Sequence, residues 1–138
     1  ISRLSVEEGR RVSGSEYLRT IQDIHAFGRQ MALFHNDWDI LLTPTLAERP
    51  LPLGVLVMTT EDIDAYYDRL FHYIAFTPQQ NLSGQPAITL PLHTSEDGLP
   101  VGIQLATRFG EEALLIRIAS QLEAARPWAD RLPPVHAG

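Results

Sequence analysis

Residues 76–107 decide the predicted fold, and they read FTPQQNLSGQPAITLPLHTSEDGLPVGIQLAT. Two apolar runs, at 87–92 and 101–107, have the length and the β-branched content of buried strands. The Asp97-Gly98 pair between them is typical of a tight turn, because glycine reaches positive φ without steric cost. This stretch therefore predicts a β-hairpin.

The segment just before the hairpin, residues 76–86, is polar and contains two prolines and one glycine. It is predicted to form a loop or a short helical turn. Gly84 is interpreted as a backbone position with positive φ. Pro86 is interpreted as a fixed entry into the following strand.

Helices are predicted on both sides of residues 76–107. Ser13 and Glu16 have the spacing of a capping box, and apolar residues follow at intervals of three and four. Gly28 lies on that apolar stripe and predicts close approach of another backbone. Thr59 and Thr60 mark the start of the second helix, and Pro127 follows the third. The predicted helices cover about 14–36, 61–74 and 111–126.

The remaining segments are less regular. Residues 39–45 form a short apolar run closed by proline, which predicts one more strand. Residues 1–14 and 46–58 are predicted to be irregular, and the tail from Trp128 is predicted to be peripheral. The sequence thus predicts an α/β fold over a single segment, residues 1–138, with a small mixed sheet of about three strands flanked by three helices. So thin a sheet favours a segment that completes a larger one.

Composition excludes several functions. The 138 residues are 44% hydrophobic and 20% charged, which is typical of a globular domain. The formal charge of -6 disfavours nucleic-acid binding, and no apolar run is long enough to span a membrane. There is no cysteine, which excludes disulfides and thiolate metal sites. All 11 basic residues are arginine, so lysine chemistry is excluded from this chain.

Candidate catalytic groups are scarce. No serine lies in a G-x-S-x-G motif, and no glycine-rich phosphate loop is present. Histidines at 25, 35, 72, 93 and 136 lack ligand spacing. His35, Asp37 and Asp39 could converge on a metal, but a helix end rich in Asn and Asp explains them equally well. The residues predict no self-sufficient active site, no metal and no cofactor.

The order of motifs resembles the C-terminal part of an amidase signature family enzyme. The matching stretches are DILLTPT (39–45), FTPQQNLSGQPAITLPL (76–92), GLPVGIQL (98–105) and EEALLIRIASQLEAARPW (111–128). Residues 7–36 are similar to the family segment that precedes the first of these. The combination N-x-x-G-x-P-A, then G-L-P-x-G-x-Q-L, is specific, and the resemblance covers nearly the whole chain.

The resemblance implies a parent enzyme that hydrolyses small-molecule carboxamides to a carboxylate and ammonia or amine. The family's machinery is a nucleophilic serine, a bridging serine after a cis peptide and a lysine, within a Gly/Ser-rich stretch. That stretch is absent here, as is every lysine. We therefore expect a non-catalytic C-terminal part of a cytoplasmic amidase, inactive alone, that supplies sheet, helices and one wall of the acyl-binding channel.

The resemblance also implies substrate-binding residues. Phe76, Thr77 and Gln80 match channel-lining positions, and Tyr73 and the 46–58 loop are weaker candidates. The alternative is that Phe76 is a core residue and Thr77 a helix cap before a proline.

Two other functions stay open at this point. One is a stand-alone structural or binding module, which would cover its strand edges as a homodimer or a swapped assembly. The other is a subunit of a tRNA-linked amidotransferase. The negative charge disfavours it, and so does Ile74, because an acidic residue can stand there in relatives that grip an amino-acid-like acyl group.

Overall fold

The computed structural model describes residues 1–132 and 135. These residues form five helices and three strands. In chain order the elements are α1 (Ser2–Gly9), α2 (Gly14–Asp37), β1 (Leu41–Pro44), α3 (Ile63–Tyr73), α4 (Pro78–Ser83), β2 (Ala87–Thr94), β3 (Pro100–Ala106) and α5 (Glu112–Ala125). The predicted α/β class and the three predicted strands are confirmed.

The strands form one sheet in the order β1-β3-β2, and both pairings are antiparallel. The β2–β3 turn is the predicted one, with Gly98 at φ 83° and its N–H 2.9 Å from the Ser95 carbonyl oxygen. A mixed sheet is predicted from the sequence but does not form among the described residues. The short turn forces β2 and β3 to run in opposite directions. β1 lies on the other side of β3 and is also antiparallel to it.

The apolar core lies on one face of the sheet. Leu90 of β2 and Leu105 of β3 are buried against Leu115 of α5. The half-buried apolar residues around them are Ile40, Ile88, Leu92, Ile118, Ala119, Leu122 and Trp128. The helix α5 therefore covers this face, as its predicted apolar stripe requires.

The opposite face of the sheet is polar. Gln104 of β3 lies between Thr43 of β1 and Thr89 of β2 in the register, so the three side chains share one face. The Oγ1 atoms of Thr45 and Thr89 are 3.2 Å apart in a hydrogen bond. The sheet thus presents hydroxyl and amide groups on the side that α5 does not cover.

The long helix α2 begins at the predicted capping box. The Ser13 hydroxyl accepts from the Glu16 amide at 3.2 Å, and a Glu16 carboxylate oxygen accepts from the Ser13 amide at 2.8 Å. A Cβ at Gly28 would lie 3.9 Å from the Cα of Ser83. The predicted close approach at Gly28 is therefore confirmed, and it brings α2 against α4. Gly84 ends α4 with φ 72°, as predicted.

Two predictions about helices are wrong. Residues 2–9 are helical, not irregular, and the Ser5 hydroxyl contacts the Tyr67 hydroxyl of α3 at 3.0 Å. That tertiary contact is invisible in a local pattern. The cap of α3 is Asp62, whose carboxylate accepts from the Ala65 amide at 3.0 Å, and not Thr59 or Thr60. With α1 and α4, five helices replace the three predicted.

The tail is also better anchored than predicted. Trp128 packs against the core, because its large indole finds apolar partners there. Arg131 donates to the Pro91 carbonyl oxygen at 3.1 Å. Residues 133, 134 and 136–138, including His136, lie outside the described residues. Among the helices described, none combines the length and apolarity needed to cross a membrane.

Candidate functional site

The four predicted channel residues lie together at the junction of α3 and α4. Tyr73 is the last residue of α3, and its carbonyl oxygen accepts from the Ala47 amide at 3.0 Å. Phe76 and Thr77 form the connection, and Gln80 lies within α4. Tyr73, Phe76 and Thr77 are half-buried, whereas Gln80 is buried. The junction covers one end of the polar sheet face.

Gln104 joins this junction to the sheet, and sequence reasoning missed it. Its Nε2 donates to the Phe76 carbonyl oxygen at 3.2 Å and to the Thr43 hydroxyl at 3.4 Å. The same atom lies 3.3 Å from the Gln80 amide. A polar residue in the otherwise apolar run VGIQLA was the available signal, because such a residue in a buried strand needs partners.

The Thr77 side chain is used locally. Thr77 is the cap residue of α4, Pro78 follows it, and its hydroxyl donates to the Ile74 carbonyl oxygen at 3.2 Å. Thr77 therefore occupies the cap position that the alternative interpretation predicts, although its hydroxyl accepts no hydrogen bond from a helix amide. Phe76 is only half-buried, so part of its ring remains available for contact.

Two pockets lie along the loop that follows β1, whose Ala47 amide bonds the Tyr73 carbonyl oxygen. None of the four predicted channel residues is among the lining residues of either pocket. One, of about 600 Å³, is lined by residues 44–50 together with Thr89, Gly102 and other residues of β2 and β3. The other, of about 840 Å³, is lined by residues 48–53, Asp97 and Leu99. Residues of the weaker candidate loop, 46–58, thus form most of the lining of the 840 Å³ pocket and five of the twelve lining residues of the 600 Å³ pocket.

The loop at residues 46–58, called the pocket loop below, is attached to α3 by an ionic cluster of Glu48, Arg69 and His72. Both terminal guanidinium nitrogens of Arg69, Nη1 and Nη2, donate to the Glu48 carboxylate, with Nη2 2.8 Å from Oε2. His72 Nε2 lies 3.1 Å from Glu48 Oε1. The hydrogen bond from Arg69 lowers the pKa of Glu48, and the same bond raises the pKa of Arg69. At the other side of the loop Arg49 donates to Asp97 at 2.8 Å.

The metal alternative finds no support in the described part of the chain, where no group of His, Asp and Glu residues could hold an ion. His35 instead bonds through Nδ1 to the Trp38 carbonyl oxygen at 2.8 Å. Asp39 pairs with Arg108, with 3.1 Å between Oδ1 and Nη2. These are contacts of a helix end, as the other interpretation predicts.

Comparison with known proteins identifies the family. The family model described as Amidase matches residues 1–116, from α1 into α5. The chain belongs to the amidase family. The predicted resemblance to amidase signature enzymes is therefore confirmed.

Two curated amidase relatives illustrate the similarity. The chain is 45% identical over 111 residues to a Mycobacterium leprae (strain TN) protein named "Putative amidase AmiC". It is 33% identical over 134 residues to the 6-aminohexanoate-cyclic-dimer hydrolase of Paenarthrobacter ureafaciens. These alignments cover 80% and 93% of this chain, but only 23% and 27% of the relatives. The chain thus spans about a quarter of their length.

Solved amidase structures share the fold. A structure of 6-aminohexanoate cyclic dimer hydrolase matches with a TM-score of 0.85 and 31% identity, covering 94% of this chain and 28% of that one. A glutamyl-tRNA(Gln) amidotransferase subunit from Thermotoga maritima matches with a TM-score of 0.70 and 27% identity, covering 89% and 26%.

Proposed function

We propose that this chain is the non-catalytic C-terminal part of a cytoplasmic amidase that hydrolyses small-molecule carboxamides to a carboxylate and ammonia or amine. It contributes three strands, its helices and one wall of the acyl-binding channel. The observation that carries the proposal is the match to the amidase family by a chain that contains no lysine and spans a quarter of its relatives.

The surface of the chain supports a role within a larger protein. In the described residues, the apolar side chains that are fully buried are few, and many large ones are exposed. The exposed ones include Leu33, Trp38, Leu42, Phe71 and Phe109. Soluble monomers rarely expose so much apolar surface, so this surface is expected to contact another part of the protein or a partner. The remaining part of the proposed enzyme is the natural cover.

The channel wall is assigned to the α3–α4 junction. Phe76 offers a half-buried ring. Gln104 Nε2 donates to the Phe76 carbonyl oxygen, and the Gln80 amide nitrogen donates to the carbonyl oxygens of Phe76 and Thr77. An apolar ring held by a hydrogen-bonded support fits an acyl group, because such pockets combine apolar walls with a few placed polar groups.

The first experiment compares the chain with its full-length amidase. The purified chain should release no ammonia from propionamide or benzamide, whereas the full-length protein should release it. Ammonia formation by the chain alone that disappears when one of its serines is changed to alanine would overturn the non-catalytic role. No hydrolysis of any simple amide by the full-length protein would overturn the amidase proposal.

The second experiment tests the wall. In the full-length enzyme Phe76→Ala should raise KM for benzamide about ten- to hundredfold, because burying an aromatic side chain against a ligand is worth about 1.5–3 kcal/mol and each 1.4 kcal/mol is about a factor of ten. Phe71→Ala is the matched control, since Phe71 lies five residues earlier, within α3, and is exposed in this chain. In the full-length enzyme its proposed partner is the remaining part of the protein, so its loss should lower Tm and leave KM for benzamide unchanged. Equal effects of the two variants on KM would place the acyl group elsewhere.

A further inference from the structure

The turn between β2 and β3 carries a pair of residues that can react with each other without an enzyme. Asp97 is the only aspartate in the sequence that is followed by glycine. The amide nitrogen of the following residue lies next to the aspartate Cγ, and glycine has no side chain to hinder its approach. The other aspartates precede isoleucine, tryptophan, alanine or arginine, whose Cβ atoms crowd that nitrogen.

The reaction is an isomerisation in two steps that needs only water. The Gly98 amide nitrogen bonds to Asp97 Cγ, and its proton leaves with the carboxyl hydroxyl as water, which gives a five-membered succinimide. Water then adds to the former main-chain carbonyl carbon of Asp97, and the bond from that carbon to the Gly98 nitrogen breaks. The product is isoaspartate, in which the chain runs through the side chain and the old main-chain carbonyl is a free carboxylate. No atom is gained or lost overall, and nothing is oxidised or reduced.

The turn is open to the water that the reaction needs. The Asp97 side chain is 48% exposed, and Gly98 is exposed as well. A Cβ at Gly98 would meet no atom within 4 Å, so the space around this backbone is free. Residues 95–98 are polar, and the turn therefore has no apolar surface that requires a cover from the rest of the proposed enzyme.

The fold holds both reacting groups of this turn. Asp97 Oδ1 accepts from the Ser95 hydroxyl, and Oδ2 lies 2.8 Å from Arg49 Nη1. The Gly98 N–H donates to the Ser95 carbonyl oxygen at 2.9 Å. The hydrogen bond from Ser95 is the main cause that lowers the pKa of Asp97, and the charge of Arg49 acts in the same direction. An ionised carboxylate lacks the hydroxyl that must leave as water, so these contacts slow the first step.

We propose that Asp97 is the residue at which this chain forms isoaspartate, and that Ser95 and Arg49 set the rate by holding the turn. Both carboxylate oxygens and the attacking N–H must leave their partners before the ring can close. The proposal goes beyond the proposed function, because the reaction uses no amide substrate and none of the catalytic groups of an amidase.

The test is peptide mapping of the chain after incubation at physiological temperature and pH, with electron-transfer fragmentation to distinguish isoaspartate from aspartate. Isoaspartate is expected at position 97 before any other aspartate, and an isoaspartyl methyltransferase should label the same peptide. Unfolding the chain in guanidinium chloride should raise the rate about tenfold, because it removes the contacts of the turn. Asp97→Glu should abolish the label, because glutamate would have to close a six-membered ring, which forms much more slowly.

Two variants of the folded chain test the contacts. Arg49→Met should raise the rate about two- to fivefold, the effect of losing an exposed ion pair. Ser95→Ala should raise it about three- to tenfold, because the Ser95 hydroxyl also bonds both backbone groups of Leu99. Arg3→Met and Ser120→Ala are the matched controls, since both residues are exposed on helices, and they should leave the rate unchanged.

Arg49→Met removes one exposed contact and guards against a Ser95 variant that fails to fold, which circular dichroism detects. Isoaspartate that forms first at another aspartate, or none at position 97 in the unfolded chain, would overturn the proposal. Equal rates in the folded and unfolded chain, or in wild type and Arg49→Met, would overturn it as well. No measurement here involves amide hydrolysis, so this proposal and the amidase proposal can fail separately.

Discussion

At the residue scale, Gly102 is required by close packing over β3. A Cβ at this position would lie 2.7 Å from Thr45 Oγ1 and 2.9 Å from Thr89 Cγ2. Both distances are shorter than van der Waals contact, so the two threonines that bond across β3 must move apart. Gly102→Ala should lower the free energy of unfolding by about 1–3 kcal/mol, the usual cost of overpacking.

Urea denaturation of the chain measures this effect of Gly102→Ala. Gly9→Ala is the control, because a Cβ at Gly9, within α1, meets nothing within 4 Å. Alanine there should be neutral or stabilise by up to about 1 kcal/mol through helix propensity. A Gly102 variant as stable as the wild type would mean that Thr45 and Thr89 are not held together.

Also at the residue scale, Glu48 makes the attachment of the pocket loop depend on pH. The hydrogen bond from Arg69 lowers the pKa of Glu48 below its ordinary value of 4.5. A lowered pKa contributes stability above the ordinary value, and the contribution is lost as the pH falls through the folded-state pKa. The Tm of Glu48→Gln should therefore lie below that of the wild type at pH 7, and the difference should close as the pH falls below 4.5.

Thermal unfolding from pH 7 to pH 3 checks this prediction for Glu48. Glu123→Gln is the control, because Glu123 on α5 is exposed and forms no ion pair within the described residues. A difference in Tm between wild type and Glu48→Gln that does not change with pH would contradict the role of the Arg69 hydrogen bond.

At the scale of elements, the start of α2 depends on its capping box. Ser13 and Glu16 satisfy each other's backbone amides, which have no helix carbonyl oxygen four residues earlier to bond. Ser13→Ala should cost about 1 kcal/mol of unfolding free energy and fray the first turn. Ser120→Ala, at an exposed site within α5, should leave the free energy of unfolding unchanged.

Circular dichroism during urea denaturation compares the two serine variants. Equal stabilities of Ser13→Ala and Ser120→Ala would show that packing against α4, rather than the cap, sets where α2 begins.

At the scale of the whole molecule, a small core holds the sheet to one helix. Leu115 is 3% exposed and packs against Leu90 and Leu105, whereas its neighbour Ile116 is 65% exposed. Leu115→Ala should lower the unfolding free energy by about 2–5 kcal/mol, because it leaves a cavity in the core. Ile116→Ala should change it by less than about 1 kcal/mol. Denaturation of both variants checks the assignment of the core face of α5.

The edges of the sheet bear on assembly. β1 has four residues and ends at Pro44, and β2 contains Pro91 beside an irregular register between Leu90 and His93. Proline lacks the amide that a further strand would use, so both edges are poor templates for dimerisation. A homodimer or swapped assembly remains the prediction for a stand-alone module, and light scattering of the dilute chain separates it from a monomer.

How much of the candidate site could be predicted differs from residue to residue. Phe76 and Gln80 were predicted from the family resemblance, and they do lie together. Gln104 was missed, because it lies 24 positions beyond Gln80 and only strand pairing brings the two amides within 3.3 Å. Glu48 lies within the predicted candidate loop 46–58, but its ion pair with Arg69 was not predicted, because Arg69 is on another element.

The sequence by itself determined the family, the hairpin, the capping box of α2 and the absence of lysine chemistry. Each of these depends on neighbouring residues or on an order of motifs, which a linear chain displays directly. Only the tertiary structure decided the antiparallel pairing of β1, the helix at residues 2–9 and the packing of the half-buried Trp128 against the core. The same holds for the Nε2 atoms of His35 and Gln85, which have no hydrogen-bond partner among the described residues. These features arise from contacts between residues far apart in the chain, whose free energies no local pattern contains.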